Sequence, residues 1–165
     1  MITTTLNRIR ALKPCNSSWR KLLEYIGKTE ADDDAVPFAV IVEACGLEDA
    51  VWCCRAEPQH DGLWRLFAVR CARSVQHLMK NPRSLAALDV ADRYANGLAT
   101  DEELGAARHD AWAAARGGIW ASAATGAAAK TAGNAAMEAL WAASQPPFPM
   151  DTFETDFLNV VGAPA

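Results

Sequence analysis

A chain of 165 residues with a net charge of −4 is long enough for one well-buried core and lacks the basic balance that marks most nucleic-acid-binding domains. No stretch is apolar for long enough to span a bilayer, and the N-terminus has no charged start followed by the apolar run of a secretory signal. Its five cysteines are odd in number, which reads as reduced core thiols in a cytoplasmic protein rather than a disulfide framework.

The charge comes in alternating blocks, positive over 1–30 and 62–100, negative over 31–61 and 101–165. Such a pattern suits pairing between neighbouring helices or steering of a charged partner. Alanine supplies 34 residues, 18 of them between Asp101 and Met150, and favours helix while adding little bulk. Six tryptophans are the heavy anchors that let helices of small residues pack closely and still fill space.

Taken in chain order, residues 4–12 predict a short basic helix ending before Pro14. Asn16, Ser17 and Ser18 offer N-caps for a helix over 19–26, with Trp19, Leu22, Leu23 and Ile26 as one apolar stripe and Gly27 as the stop. The segment 28–36 carries Asp32, Asp33 and Asp34 without the loop spacing of a calcium site, and reads as a solvated acidic loop. Helices are predicted over 38–45, stopped by Gly46, and over 47–55. The adjacent Cys53 and Cys54 of the second point about 100° apart around a helix and do not share a metal.

Asp61 is the cap of a predicted helix over 63–80, apolar on most sides and therefore central. Asn81-Pro82 closes it and opens the next, where Leu85, Leu88, Val90, Ala91 and Tyr94 follow helical spacing. Asn96-Gly97 is a C-terminal stop, and Thr100 with Glu103 has the spacing of a capping box. The alanine-rich segment 101–144 predicts two helices with a break near Gly117-Gly118, weakened further by Gly126 and Gly133, and ended by Pro146-Pro147. A last short helix, capped from Asp151, carries Phe153, Phe157, Leu158 and Val161.

The architecture implied is all-α, a compact bundle of about seven to nine helices. Residues 1–145 form one domain, and 146–165 a C-terminal tail whose short helix docks on the core to cover its apolar face.

One polar pattern stands out on the central helix. Arg70, Arg73 and His77 fall at i, i+3 and i+7, and Asp89 and Asp92 stand three apart on the following helix. Set face to face, these five residues form an ion-pair network that fixes helix register, or a polar patch for recognition; buried charges need partners, which favours the network. Catalytic signatures are thin: no glycine-rich phosphate loop, no His-Glu-x-x-His, no Gly-x-Ser-x-Gly and no Cys-x-x-Cys. A thiol–imidazole pair drawn from distant segments, with His60 or His109, is the remaining catalytic option. No metal site and no cofactor is predicted.

Several runs carry a family resemblance. They are Leu12-Lys13-Pro14-Cys15 with Trp19 and Lys21-Leu22-Leu23, then Gly46-Leu47, Asp49-Ala50 and Trp52-Cys53. Phe67-Ala68-Val69, Cys71-Ala72-Arg73 and Val75-Gln76-His77-Leu78-Met79 follow, and then Arg83-Ser84, Ala87-Leu88-Asp89-Val90-Ala91 and Arg93-Tyr94-Ala95. Over 11–144 the chain resembles the all-helical Imm5-like immunity proteins of bacterial polymorphic-toxin loci and phage or prophage genomes. The Gly117-Gly118 break departs from the more uniform alanine-rich helix of that family, and the tail is unmatched. The resemblance implies a non-enzymatic binder that neutralises a protein target, either a toxin or, for a phage-encoded inhibitor such as an anti-CRISPR, a host defence effector. It brings no catalytic residues with it.

Overall fold

The computed structural model describes residues 1–114, 119–129, 131–143 and 150–162, with the side chains of 119 and 120 left out. Among the described residues there are ten α-helices, nine of them seven residues or longer, and one two-stranded ribbon. The predicted break near Gly117-Gly118 and the Pro146-Pro147 stop lie outside the described residues.

The ribbon was not visible in the local pattern. β1 (Thr3–Thr5) pairs antiparallel with β2 (Ala35–Pro37), Thr4 opposite Val36. Three consecutive threonines suit a strand, but the partner lies some thirty residues away and no helical or alternating period announces it. The helix predicted over 4–12 is therefore shorter: α1 (Leu6–Ala11) begins after Thr5, whose Oγ1 accepts the Arg8 amide at 3.2 Å. The acidic loop before β2 is tied rather than free, with Lys28 Nζ donating to Asp32 at 2.5 Å and to Asp34 at 2.7 Å.

α2 (Asn16–Tyr25) starts earlier than its serines suggest, because Cys15 is its N-cap. α3 (Phe38–Cys45) and α4 (Leu47–Cys53) meet at Gly46, and a 3₁₀ turn over Cys54–Ala56 takes the place of α4's predicted last residues. α5 (Asp61–Ser74) stops six residues short of the predicted 80. No Gly or Pro ends it. Ser74 Oγ donates to the Cys71 carbonyl at 2.7 Å, and the backbone tightens into a 3₁₀ turn over Gln76–Leu78, so side-chain bonding competes with the helical ladder.

α6 (Pro82–Ala95) has Asn81 Oδ1 accepting the Arg83 amide at 3.0 Å, and ends where Gly97 takes φ +73°. α7 (Asp101–Ala114) opens with a reciprocal capping box. The Thr100 amide donates to Glu103 at 2.8 Å, and the Glu103 amide to Thr100 Oγ1 at 3.2 Å. The rest of the alanine-rich segment forms α8 (Ile119–Ala127) and α9 (Ala132–Ala143), and α10 (Met150–Val161) follows. Asp151 lies inside the first turn of α10 rather than at its cap.

α5 is the axis. It packs along α9 and also meets α6, α8 and α10, while α8 lies on α9, α6 on α7, and α4 on α3 and α9. The core has two textures. Around the first half of α5, Trp64 sits 5.3 Å from Phe38 and 6.2 Å from Phe157, with Phe67 5.2 Å from Phe157. All four rings are fully buried, and hiding a side chain such as Phe157 is worth about 1.5–3 kcal/mol. The tail helix thus supplies a central ring of the core.

The second texture is alanine. Between α8 and α9 the helices approach so closely that a Cβ on Gly126 would lie 2.6 Å from Glu138 Cβ and 3.0 Å from the Ala139 amide nitrogen. Gly126, read from sequence as a weak point, is the place where the backbones touch. Among the described residues one charge is buried in this half. Arg65, 3% exposed, donates to the Ala129 carbonyl at 2.5 Å, just past the end of α8, and stacks 4.9 Å from the Tyr94 ring. Tyr94 in turn donates to Asp101 at 2.6 Å, so a single arginine joins α5, α6, α7 and α8.

Candidate functional site

Of the five residues singled out in the sequence, three come together. Arg73 Nη2 reaches Asp89 Oδ1 at 2.7 Å and Asp92 Oδ2 at 3.2 Å, while Nη1 donates to Gln76 at 3.0 Å. Partial burial would lower the basicity of this guanidinium, but the two carboxylates outweigh it and hold it above its ordinary value. The side chains are 33%, 63% and 40% exposed, so the desolvation argument for a buried network does not apply to them. A pair this open is worth about 1 kcal/mol at most.

The other two stand apart. Arg70 is exposed, and no described hydrogen bond or ion pair involves it. His77 is exposed on the 3₁₀ turn, off the stripe of α5, because the helix ends at Ser74 and the i+7 spacing loses its meaning there. The acid–base residues are equally scattered. His60 lies edge-on to Trp64 at 5.9 Å, His109 is exposed on α7, and burial pushes the Cys71 thiol far up. Among the described residues no group of three His, Cys, Asp or Glu side chains is placed to hold a metal ion, and no helix is long and apolar enough to cross a membrane.

A more promising surface lies where α4 meets α9. Met137, Leu140 and Trp141 of α9 line a groove of about 240 Å³, with Glu138 from the same helix and Glu48 from the first turn of α4 also in its lining. The helical spacing 137, 138, 141 puts two apolar side chains and one carboxylate on adjoining faces of α9. Leu140 is fully buried and forms the floor, while Trp141 is 54% exposed and Glu48 and Glu138 are exposed. Among the described residues no lysine or arginine lines the groove.

An indole beside two carboxylates over an aliphatic floor matches a side chain with an apolar stem and a cationic head. The sequence signal was present but weak: Trp141 stands in an alanine-rich helix, where a large ring reads equally well as core. The buried residues of α9 include Ala132, Ala135, Ala136, Ala139, Ala142 and Ala143, and Trp141 falls outside that face. Comparison with family models, with curated proteins and with solved structures yields no match to the chain.

Proposed function

We propose that this protein is an inhibitor of the immunity type, which neutralises a toxin or a host defence effector by binding a basic region of its surface, without chemistry on that target. The observation that carries the reading is Trp141, a half-exposed indole at an apolar groove edged by Glu48 and Glu138. Large exposed aromatics beside desolvated pockets are the residues that dominate protein interfaces, and flanking carboxylates steer and register a cationic partner. The resemblance to the Imm5-like immunity proteins points the same way.

The test has two stages. Affinity capture from lysate followed by mass spectrometry nominates a partner, and calorimetry with the two purified proteins measures the affinity. Trp141→Ala should weaken binding about thirtyfold, as expected for loss of roughly 2 kcal/mol at an interface anchor. Glu48→Lys with Glu138→Lys should slow association and reverse its salt dependence. Trp112→Ala, at an indole that is 72% exposed, serves as the control. A reconstituted complex indifferent to Trp141 and to both glutamates would remove this surface from consideration.

A further inference from the structure

Three of the five cysteines line a single cleft that shares no lining residue with the Trp141 groove. It is about 260 Å³ in volume, between the turn that precedes α2 and the helices α2, α3 and α4. Cys15 is exposed at its mouth, Cys45 is half-buried and Cys53 is buried, and all five cysteines of the chain are free thiols. The walls are Ile9, Leu22 and Ile41 with the indoles of Trp19 and Trp52; no histidine lines it.

Cys15 and Cys45 are seated on the same residue. Cys15 Sγ lies 3.0 Å from Ser18 Oγ, 3.3 Å from Ser17 Oγ and 3.5 Å from the Ser18 amide nitrogen, which donates to it. Cys45 Sγ donates to the Ser18 carbonyl at 3.5 Å. Ser18 thus contacts both sulfurs, one at the N-cap of α2 and one at the end of α3. Cys15 is also the N-cap of a ten-residue helix, where backbone amides favour a thiolate.

We propose that Cys15 and Cys45 form a two-thiol site that reduces a small apolar hydroperoxide seated in this cleft. The Cys15 thiolate attacks the terminal oxygen of R–O–O–H. An S–O bond forms, the O–O bond breaks, and the alkoxide leaves and takes a proton from solvent to become the alcohol. The Cys45 sulfur then attacks the sulfenic sulfur of Cys15. The S–S bond forms, and the departing hydroxide leaves as water with the Cys45 proton. A small dithiol returns both residues to thiols and is itself oxidised to its disulfide.

The cleft chooses the oxidant. An apolar cavity of about 150 Å³ holds a benzene ring, so this one has room for a phenylalkyl group between the two indoles with the peroxide at its mouth. The groups facing Cys15 set its ionisation. Hydrogen bonds from Ser17 and Ser18 lower it, slight burial and the Asp49 carboxylate raise it, and the outcome is a thiol titrating at about 7 against an ordinary 9.0. Lys13 is the cation in the cleft lining, and Cys45, whose own thiol is pushed up chiefly by burial, stays protonated until it resolves the sulfenic acid. At pH 7 the larger thiolate fraction, reduced by the lower nucleophilicity of a more acidic thiol, leaves Cys15 about sixfold more reactive than an unfolded cysteine.

This site and the Trp141 groove are independent, and failure of either leaves the other standing. The experiment treats the reduced protein with cumene hydroperoxide at pH 7 and follows intact mass and peptide maps. The wild type should lose two hydrogens as a Cys15–Cys45 disulfide, about sixfold faster than the urea-unfolded chain. Cys45→Ser should instead gain one oxygen on Cys15, trapped by dimedone. Cys15→Ser, which keeps a good N-cap and so keeps the fold, should do neither. Trp52→Ala should slow the reaction with cumene hydroperoxide several-fold while leaving that with hydrogen peroxide unchanged. A stable sulfenic acid on the wild type, a disulfide involving other cysteines, or equal effects of Trp52→Ala on both peroxides would overturn the proposal.

Discussion

Gly126→Ala puts the alanine-rich half to its sharpest test. In an isolated helix the change is favourable by about 0.5–1 kcal/mol, since glycine loses more backbone freedom on folding. Here the new methyl would lie 2.6 Å from Glu138 Cβ, 3.0 Å from Ala139 N and 3.2 Å from Glu138 C, where ordinary contact begins at 3.4 Å. None of these atoms is the free end of a side chain, so no rotamer change relieves the clash. α8 and α9 must part by roughly 0.8 Å at this point, which also loosens the packing of their neighbouring alanines.

Overpacking of this kind costs about 1–3 kcal/mol, and the helix-propensity gain is small this close to the end of α8. A net loss of about 1–2 kcal/mol lowers Tm by roughly 2–8 °C in a domain of this size. Gly105→Ala is the matched control: it lies inside α7 with nothing within 4 Å of its added methyl, and should raise Tm by a degree or more. Thermal unfolding followed by circular dichroism measures both. A Gly126→Ala protein as stable as the wild type would refute the close approach of α8 and α9.

Two further predictions concern ionised side chains. Glu57 is fully buried. One oxygen accepts from Arg8 at 2.5 Å and from Gln59, while Oε1 and the nearby Thr4 hydroxyl lack hydrogen-bond partners of good geometry. Burial pushes its carboxyl up, but Thr4, Arg8 and Gln59 outweigh that and hold it below the ordinary 4.5. A lowered carboxyl stabilises the fold fully above pH 4.5 and loses that contribution as pH falls through the lowered value. The urea midpoint of Glu57→Gln should therefore vary less with pH in the acid range than that of the wild type; parallel curves would show that this carboxylate is not what titrates. Arg73→Ala should cost up to about 1 kcal/mol and Arg70→Ala less than about 0.5 kcal/mol by urea denaturation, because Arg73 bridges two half-open carboxylates while no described ion pair involves Arg70. Equal losses for both would contradict the separation of these residues in the fold.

Features encoded within a few residues could be read directly. Thr100 and Glu103 cap α7 as their spacing says, and α3 covers 38–45 and stops at Gly46 as predicted. Features set by distant partners could not. The Thr3–Thr5 strand exists because residues 35–37 lie beside it, and Cys15 caps α2 although serines and asparagine follow it. Arg65 looks like any exposed helical arginine until the Ala129 carbonyl and the Tyr94 ring close over it. The charged stripe shows the limit most clearly. Its periodicity assumed a helix to residue 80, but α5 ends at Ser74, which bonds back to Cys71, and His77 lies on the turn that follows.

The order of synthesis adds a consequence to the aromatic core. The Ile2 amide donates to the Val161 carbonyl at 2.7 Å, the Phe38 amide donates to the Ile2 carbonyl at 3.3 Å, and Phe157 fills the space between Phe38, Trp64 and Phe67. The pairs α6–α7 and α8–α9 can close as soon as they emerge from the ribosome, because their contacts are local. The aromatic half must wait for residues 157–161, with Phe38 and Trp64 lacking their last partner meanwhile. A nascent chain that has made α9 but not α10 thus has its alanine half able to form and its aromatic half still open.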